Sequence, residues 1–114
     1  LPNSITHLTF GNYFNQPVNN LPNSITHLTF ECYSNFNKPV DNLPNSITHL
    51  TLWSHHKFIN NLPLSLEEIT IYFDEYNVHK VKNLPINLKK INICDINYID
   101  LIKVPFGCVV NVIQ

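Results

Sequence analysis

The chain has 114 residues, enough for one hydrophobic core and too few for several. Its net charge of −1 and its 13% of charged residues offer no field for nucleic acid or an anionic membrane. All seven basic residues are lysine, so the side chain that most often grips phosphate or anchors a protein interface is absent.

Self-similarity organises what remains. The string LPNSITHLT runs unchanged from Leu1, Leu21 and Leu43, with looser copies, LPLSLEEIT and LPINLKKIN, from Leu62 and Leu84. A sixth, degenerate start at Val104-Pro105 gives units 1–20, 21–42, 43–61, 62–83, 84–103 and 104–114 of a single repeat domain. In the first unit the Pro2 ring fixes φ and removes an N–H, which suits a turn before a strand. Alternation over residues 7–10 then predicts a short strand with one buried face. Phe14-Asn15-Gln16-Pro17-Val18 carries the chain back, and Pro17 argues for extended or 3₁₀ structure there rather than a helix. The second unit repeats this plan, with Phe36-Asn37-Lys38-Pro39-Val40 as its return. The third is shortened and lacks that return, so a local break in sheet register is expected after it. Units four and five keep the Leu-Pro and the strand pattern, and the sixth closes on an apolar strand over residues 109–113.

Aligned, the units expose three apolar columns. Position 5 is Ile5, Ile25, Ile47, Leu66, Leu88 and Cys108; position 8 is Leu8, Leu28, Leu50, Ile69 and Ile91, failing at Asn111; position 10 is Phe10, Phe30, Leu52, Ile71, Ile93 and Ile113. This is the L-x-x-L-x-L spacing of leucine-rich repeats. No unit can bury such a face alone, whereas units stacked with their strands about 4.8 Å apart bury continuous ladders. The expected fold is a leucine-rich-repeat-like solenoid, a horseshoe arc with a parallel β-sheet on its concave face. Its convex side should be extended or 3₁₀, with little or no α-helix.

LPNSITHLTF, from Leu1 to Phe10, and the Phe-Asn-x-Pro-Val segments at Phe14 and Phe36 closely resemble the FNIP repeat of slime moulds and giant DNA viruses. The resemblance is tight over residues 1–42, and beyond residue 61 only the Leu-Pro and the strand pattern remain. Arrays of this family often follow an F-box, so the resemblance implies the substrate-recruiting arm of a ubiquitin ligase adaptor. No F-box lies within these residues. Opening in mid-pattern on Leu1 is expected of a piece cut from a longer protein.

Positions 6, 7, 9 and 11 should face away from the core. The threonine columns at positions 6 and 9 suit a pleated surface and are read as structural. Glu67 and Glu68 should face Lys89 and Lys90 across neighbouring strands. The His7, His27, His49 column is the one arrangement that looks like chemistry. Evenly spaced rings on flat strands do not converge on a tetrahedral ion, so no metal site is assigned. Crowded imidazoles should instead resist protonation. Trp53 and Tyr72 fall side by side at position 11, where they either anchor a partner or, for Trp53, cover the core beside the shortened unit. His55 and His56 are read as loop residues.

Cys32, Cys94 and Cys108 share no column and suggest no disulfide; their odd number and the lack of an Asn-x-Ser/Thr sequon point to an intracellular protein, in host cytoplasm if viral. No run of eighteen apolar residues occurs. Neither a nucleophile motif nor a glycine-rich phosphate loop is present, so no enzymatic activity, cofactor or small-molecule substrate is expected. The expected function is protein–protein interaction through the concave face of units two to four, carried by His27, His49, Trp53, Glu68, Thr70 and Tyr72. The alternative is a structural spacer that stacks through its ends.

Overall fold

A computed structural model of the chain describes residues 2–31, 36, 38–53, 61–73 and 80–113. Its strands are β1 (His7–Phe10), β2 (His27–Phe30), β3 (His49–Trp53), β4 (Glu68–Tyr72), β5 (Lys90–Ile93) and β6 (Val109–Val112). All pair in parallel in sequence order, forming a single sheet. Among the described residues the one helical element is a 3₁₀ helix, Ile96–Leu101, in the return of unit five. The fold is a leucine-rich-repeat-like solenoid.

Rungs two to six open on the same turn hydrogen bond. The proline carbonyl at position 2 accepts from the N–H at position 5: Ile25 on Pro22, Ile47 on Pro44, Leu66 on Pro63, Leu88 on Pro85 and Cys108 on Pro105. The proline thus serves as an acceptor, at a place where its missing donor is not needed. The next two N–H groups both donate to the position 6 carbonyl of the preceding unit. Thr26 and His27 share the Thr6 carbonyl at 2.8 and 3.0 Å, Thr48 and His49 share that of Thr26, and Glu67 and Glu68 that of Thr48. Serines reinforce the seam: Ser46 Oγ donates to the Ile25 carbonyl at 2.6 Å and Ser65 Oγ to that of Ile47 at 2.7 Å. Adjacent units are therefore joined before either strand starts.

Behind the sheet the columns close into one core. Ile25, Ile47, Leu66 and Leu88, with Leu28, Leu50, Ile69 and Ile91 and with Phe30, Leu52, Ile71 and Ile93, are all buried. The Phe-Asn-x-Pro-Val returns add to this core, as do Leu43, Leu62 and Leu84 at the unit starts. Phe14 stacks on Phe10 with ring centroids 3.8 Å apart, Phe36 packs on Phe30 at 4.6 Å, and Val18 and Val40 are buried beside them. In unit five the 3₁₀ return performs the same task through Tyr98, which stacks on Phe73 at 4.7 Å.

Two expectations are corrected. The sheet does not lose register after the shortened third unit, since β3 and β4 pair from His49↔Glu68 to Trp53↔Tyr72. The shortened stretch, residues 54–60, lies outside the described residues. The sixth unit, by contrast, runs one residue ahead: Val109 opposes Lys90, Val110 opposes Ile91, Asn111 opposes Asn92 and Val112 opposes Ile93. There Val109 N–H meets the Lys89 carbonyl and begins the strand at once, without the doubled N–H of the other rungs. The turn differs too, with Gly107 at φ 81° where other units carry Ser or Asn. Val110, not Asn111, therefore packs against the core beside Ile91, while Val112, opposite Ile93, stays exposed on the edge strand.

Candidate functional site

Strand alternation sends positions 7 and 9 to the face opposite the core. Position 7 runs His7, His27, His49, Glu68 and Lys90; position 9 runs Thr9, Thr29, Thr51, Thr70 and Asn92, with Asn111 joining through the shift in β6. In-register pairing stacks the imidazoles face to face. His7 and His27 lie 4.1 Å apart at 11° between planes, and His27 and His49 lie 4.3 Å apart at 9°.

The threonine before each histidine holds its ring. Thr6 Oγ1 is 2.9 Å from His7 Nδ1, and Thr26 and Thr48 are each 2.8 Å from the Nδ1 that follows. The Thr26 and Thr48 hydroxyls also donate, at 3.2 Å, to the carbonyls of Thr6 and Thr26. A hydroxyl has one proton to give: with it on the carbonyl, Nδ1 donates to Oγ1 and Nε2 keeps its lone pair; with it on Nδ1, Nε2 carries the N–H.

The row ends on a carboxylate. Glu68 Oε1 lies 3.9 Å from His49 Nε2, while Oε2 accepts from Asn92 Nδ2 at 2.9 Å. Asn92, 5% exposed, also donates to Thr70 Oγ1 at 3.2 Å and accepts from Asn111 Nδ2 at 3.4 Å. Of the two opposite-charge pairs expected from sequence, Glu67 meets Lys89 at 3.7 Å, whereas Glu68 turns to His49 and Asn92. A shallow depression of about 210 Å³ lies over this junction, lined by His27, Thr29, His49, Leu50, Thr51, Glu68 and Thr70.

Burial, then the neighbouring charges of His49 and His7, hold His27 below the ordinary histidine pKa, with Glu68 acting weakly the other way. The three rings form a row, not a cluster: their planes are nearly parallel, so their lone pairs do not meet at one point. Among the described residues no group of three His, Cys, Asp or Glu side chains is placed to hold a metal ion.

Four of the six residues singled out from sequence, His27, His49, Glu68 and Thr70, share this depression. Trp53 and Tyr72 do stack, at 5.4 Å and 24°. Trp53 is only 7% exposed, however, which corrects its reading as an exposed anchor. Alternation ends at Leu52, and Leu52 and Trp53 are buried in succession, leaving half-buried Tyr72 as the accessible ring of the pair. Sequence reading passed over Asn92 and Asn111. Asn92 could have been found as the one amide in a threonine column beside Glu68; the one-residue shift hid Asn111. Cys94 and Cys108 are free thiols, and burial pushes the Cys108 pKa up, away from nucleophilic character. Cys32, His55 and His56 lie outside the described residues. No helix among the described residues is long and apolar enough to cross a membrane.

The family model of the FNIP repeat matches residues 1–33 and 17–52. Residues 1–52 are similar to FNIP repeats. The matched units contribute the whole histidine row, and the carboxylate that ends it comes from the rung that follows them. The structure is also similar to that of CroV588, a giant-virus protein described as a novel circular LRR protein structure. The TM-score is 0.56 and the identity 32%, over 82% of this chain and 18% of that one. No curated protein matches the chain.

Proposed function

We propose that the chain is a protein-interaction module that binds through the open face of units two to four. The observation that carries this reading is the convergence of His27, His49, Glu68 and Thr70 on one depression, on side chains already fixed by hydrogen bonds. Surfaces that need little ordering on contact keep more of their interaction energy as affinity. Tyr72, backed by Trp53, adds an aromatic contact at the rim. The FNIP repeats and the solenoid fold suit such a role. The finer reading, recruitment of substrates to an F-box-type ubiquitin ligase, rests on the family resemblance. Co-purification of ligase subunits with the protein in its native cell would test it.

The direct test is affinity capture from native lysate with this chain and with a Thr51→Lys/Tyr72→Ala variant, both checked by circular dichroism. Proteins held by the first should be reduced about tenfold or more on the second, as expected when a contact centre is blocked. Equal capture by both would move the reading to a spacer that stacks through its ends, for which exposed Val109 and Val112 on the edge strand β6 offer apolar contact.

A further inference from the structure

We propose that the depression takes a cationic side chain of the partner, a lysine ammonium or arginine guanidinium, between His49 Nε2 and Glu68 Oε1. The inference rests on the interaction-module reading and names the chemistry the partner must bring.

The geometry states what is missing between the two atoms. At 3.9 Å they stand too far apart to share a hydrogen bond directly. A single nitrogen about 2.8 Å from each would see them at roughly a right angle, within reach of two N–H bonds of one ammonium or of two guanidinium nitrogens. Glu68 is a carboxylate, and His49 Nε2 is an acceptor in the tautomer whose Nδ1–H donates to Thr48 Oγ1 while the Thr48 proton goes to the Thr26 carbonyl. His27 Nε2 extends the acceptor row one ring further, 4.3 Å away. An acceptor-only pair that includes a formal negative charge selects a charged donor over a neutral one.

The carboxylate is also held in place. Glu68 Oε2 is fixed by Asn92, and Asn92 by Thr70 and Asn111 beneath it, so Oε1 is presented toward the depression without loss of side-chain freedom on binding. Among the described residues Lys89 is engaged by Glu67, and the ion-pair contact of Glu68 is with His49. Lys90, the register partner of Glu68 on β5, is an internal competitor.

The test is an NMR titration of the ¹⁵N-labelled chain with hexalysine, with hexaglutamate as control. Shifts should centre on His27, His49 and Glu68. Affinity should fall about tenfold or more in Glu68→Gln, which keeps the acceptor for Asn92, and little in Glu67→Gln. It should rise in Lys90→Gln. Equal losses in Glu67→Gln and Glu68→Gln, or preference for hexaglutamate, would each overturn the proposal. If Glu68→Gln fails to fold, Lys90→Gln and the pattern of shifts decide. Should the hexalysine effects be missing while Thr51→Lys/Tyr72→Ala still abolishes capture, the interaction module stands and its cationic ligand falls.

Discussion

His27 is the one histidine with an imidazole on both sides, and its lowered pKa has a definite consequence for stability. Between its folded pKa and the unfolded value of about 6.5, the unfolded chain binds more protons than the native one, so stability rises with pH across that window. The thermal midpoint should therefore drop as the pH is lowered from 7.5 to 5, and drop less in His27→Gln. A scanning-fluorimetry series would settle it, since a midpoint constant or rising in acid contradicts the account. The histidine row itself was legible, because three copies of one string must place identical residues on identical rungs. Its attachment to Thr6, Thr26 and Thr48 was not, because position 6 precedes the strand and its direction depends on the doubled N–H seam. Trp53 kept two readings, anchor or cover, for a related reason: alternation gives a side chain's direction only while the strand lasts, and its burial is that of a cover.

Strand and turn residues contribute unequally to the elements. Ser46 makes one seam hydrogen bond, and Ser46→Ala should cost about 1 kcal/mol. Phe36 lies fully buried between Phe30 and Phe14, and Phe36→Ala should cost about 3–5 kcal/mol through lost contact and a cavity. Urea denaturation would rank the two, and a serine loss equal to the phenylalanine loss would refute the assignment of the returns to the core. The first five strands and the Leu-Pro turns were readable because each rests on local pattern. The sixth was misaligned because a single residue between turn and strand, beside a left-handed Gly107, reverses which side chains face inward. The returns were read correctly as non-helical, yet their stacked phenylalanines are a tertiary contact that no local pattern announces.

Across the whole molecule, β3 and β4 have paired neighbours on both sides and alternate between fully buried and half-buried positions, whereas β1 and β6 form the edges and are markedly more open. In a nearest-neighbour solenoid this gradient sets local opening. Amide exchange should be slowest at Leu50, Leu52, Ile69 and Ile71 and fastest in β1 and β6; uniform protection across the six strands would show instead that the sheet opens as one unit. The architecture could be read from sequence almost completely because every rung repeats it. The depression could be read only in part, since the amides that hold Glu68 lie one and two rungs away. Units one to three carry the same nine residues, and β1–β2 and β2–β3 keep the same register. One such rung can therefore be copied or lost between the others without creating a seam the protein has not already solved. Slippage between identical stretches of the gene would change the reach of the array in a single step, and each added copy would lengthen the imidazole row by one ring.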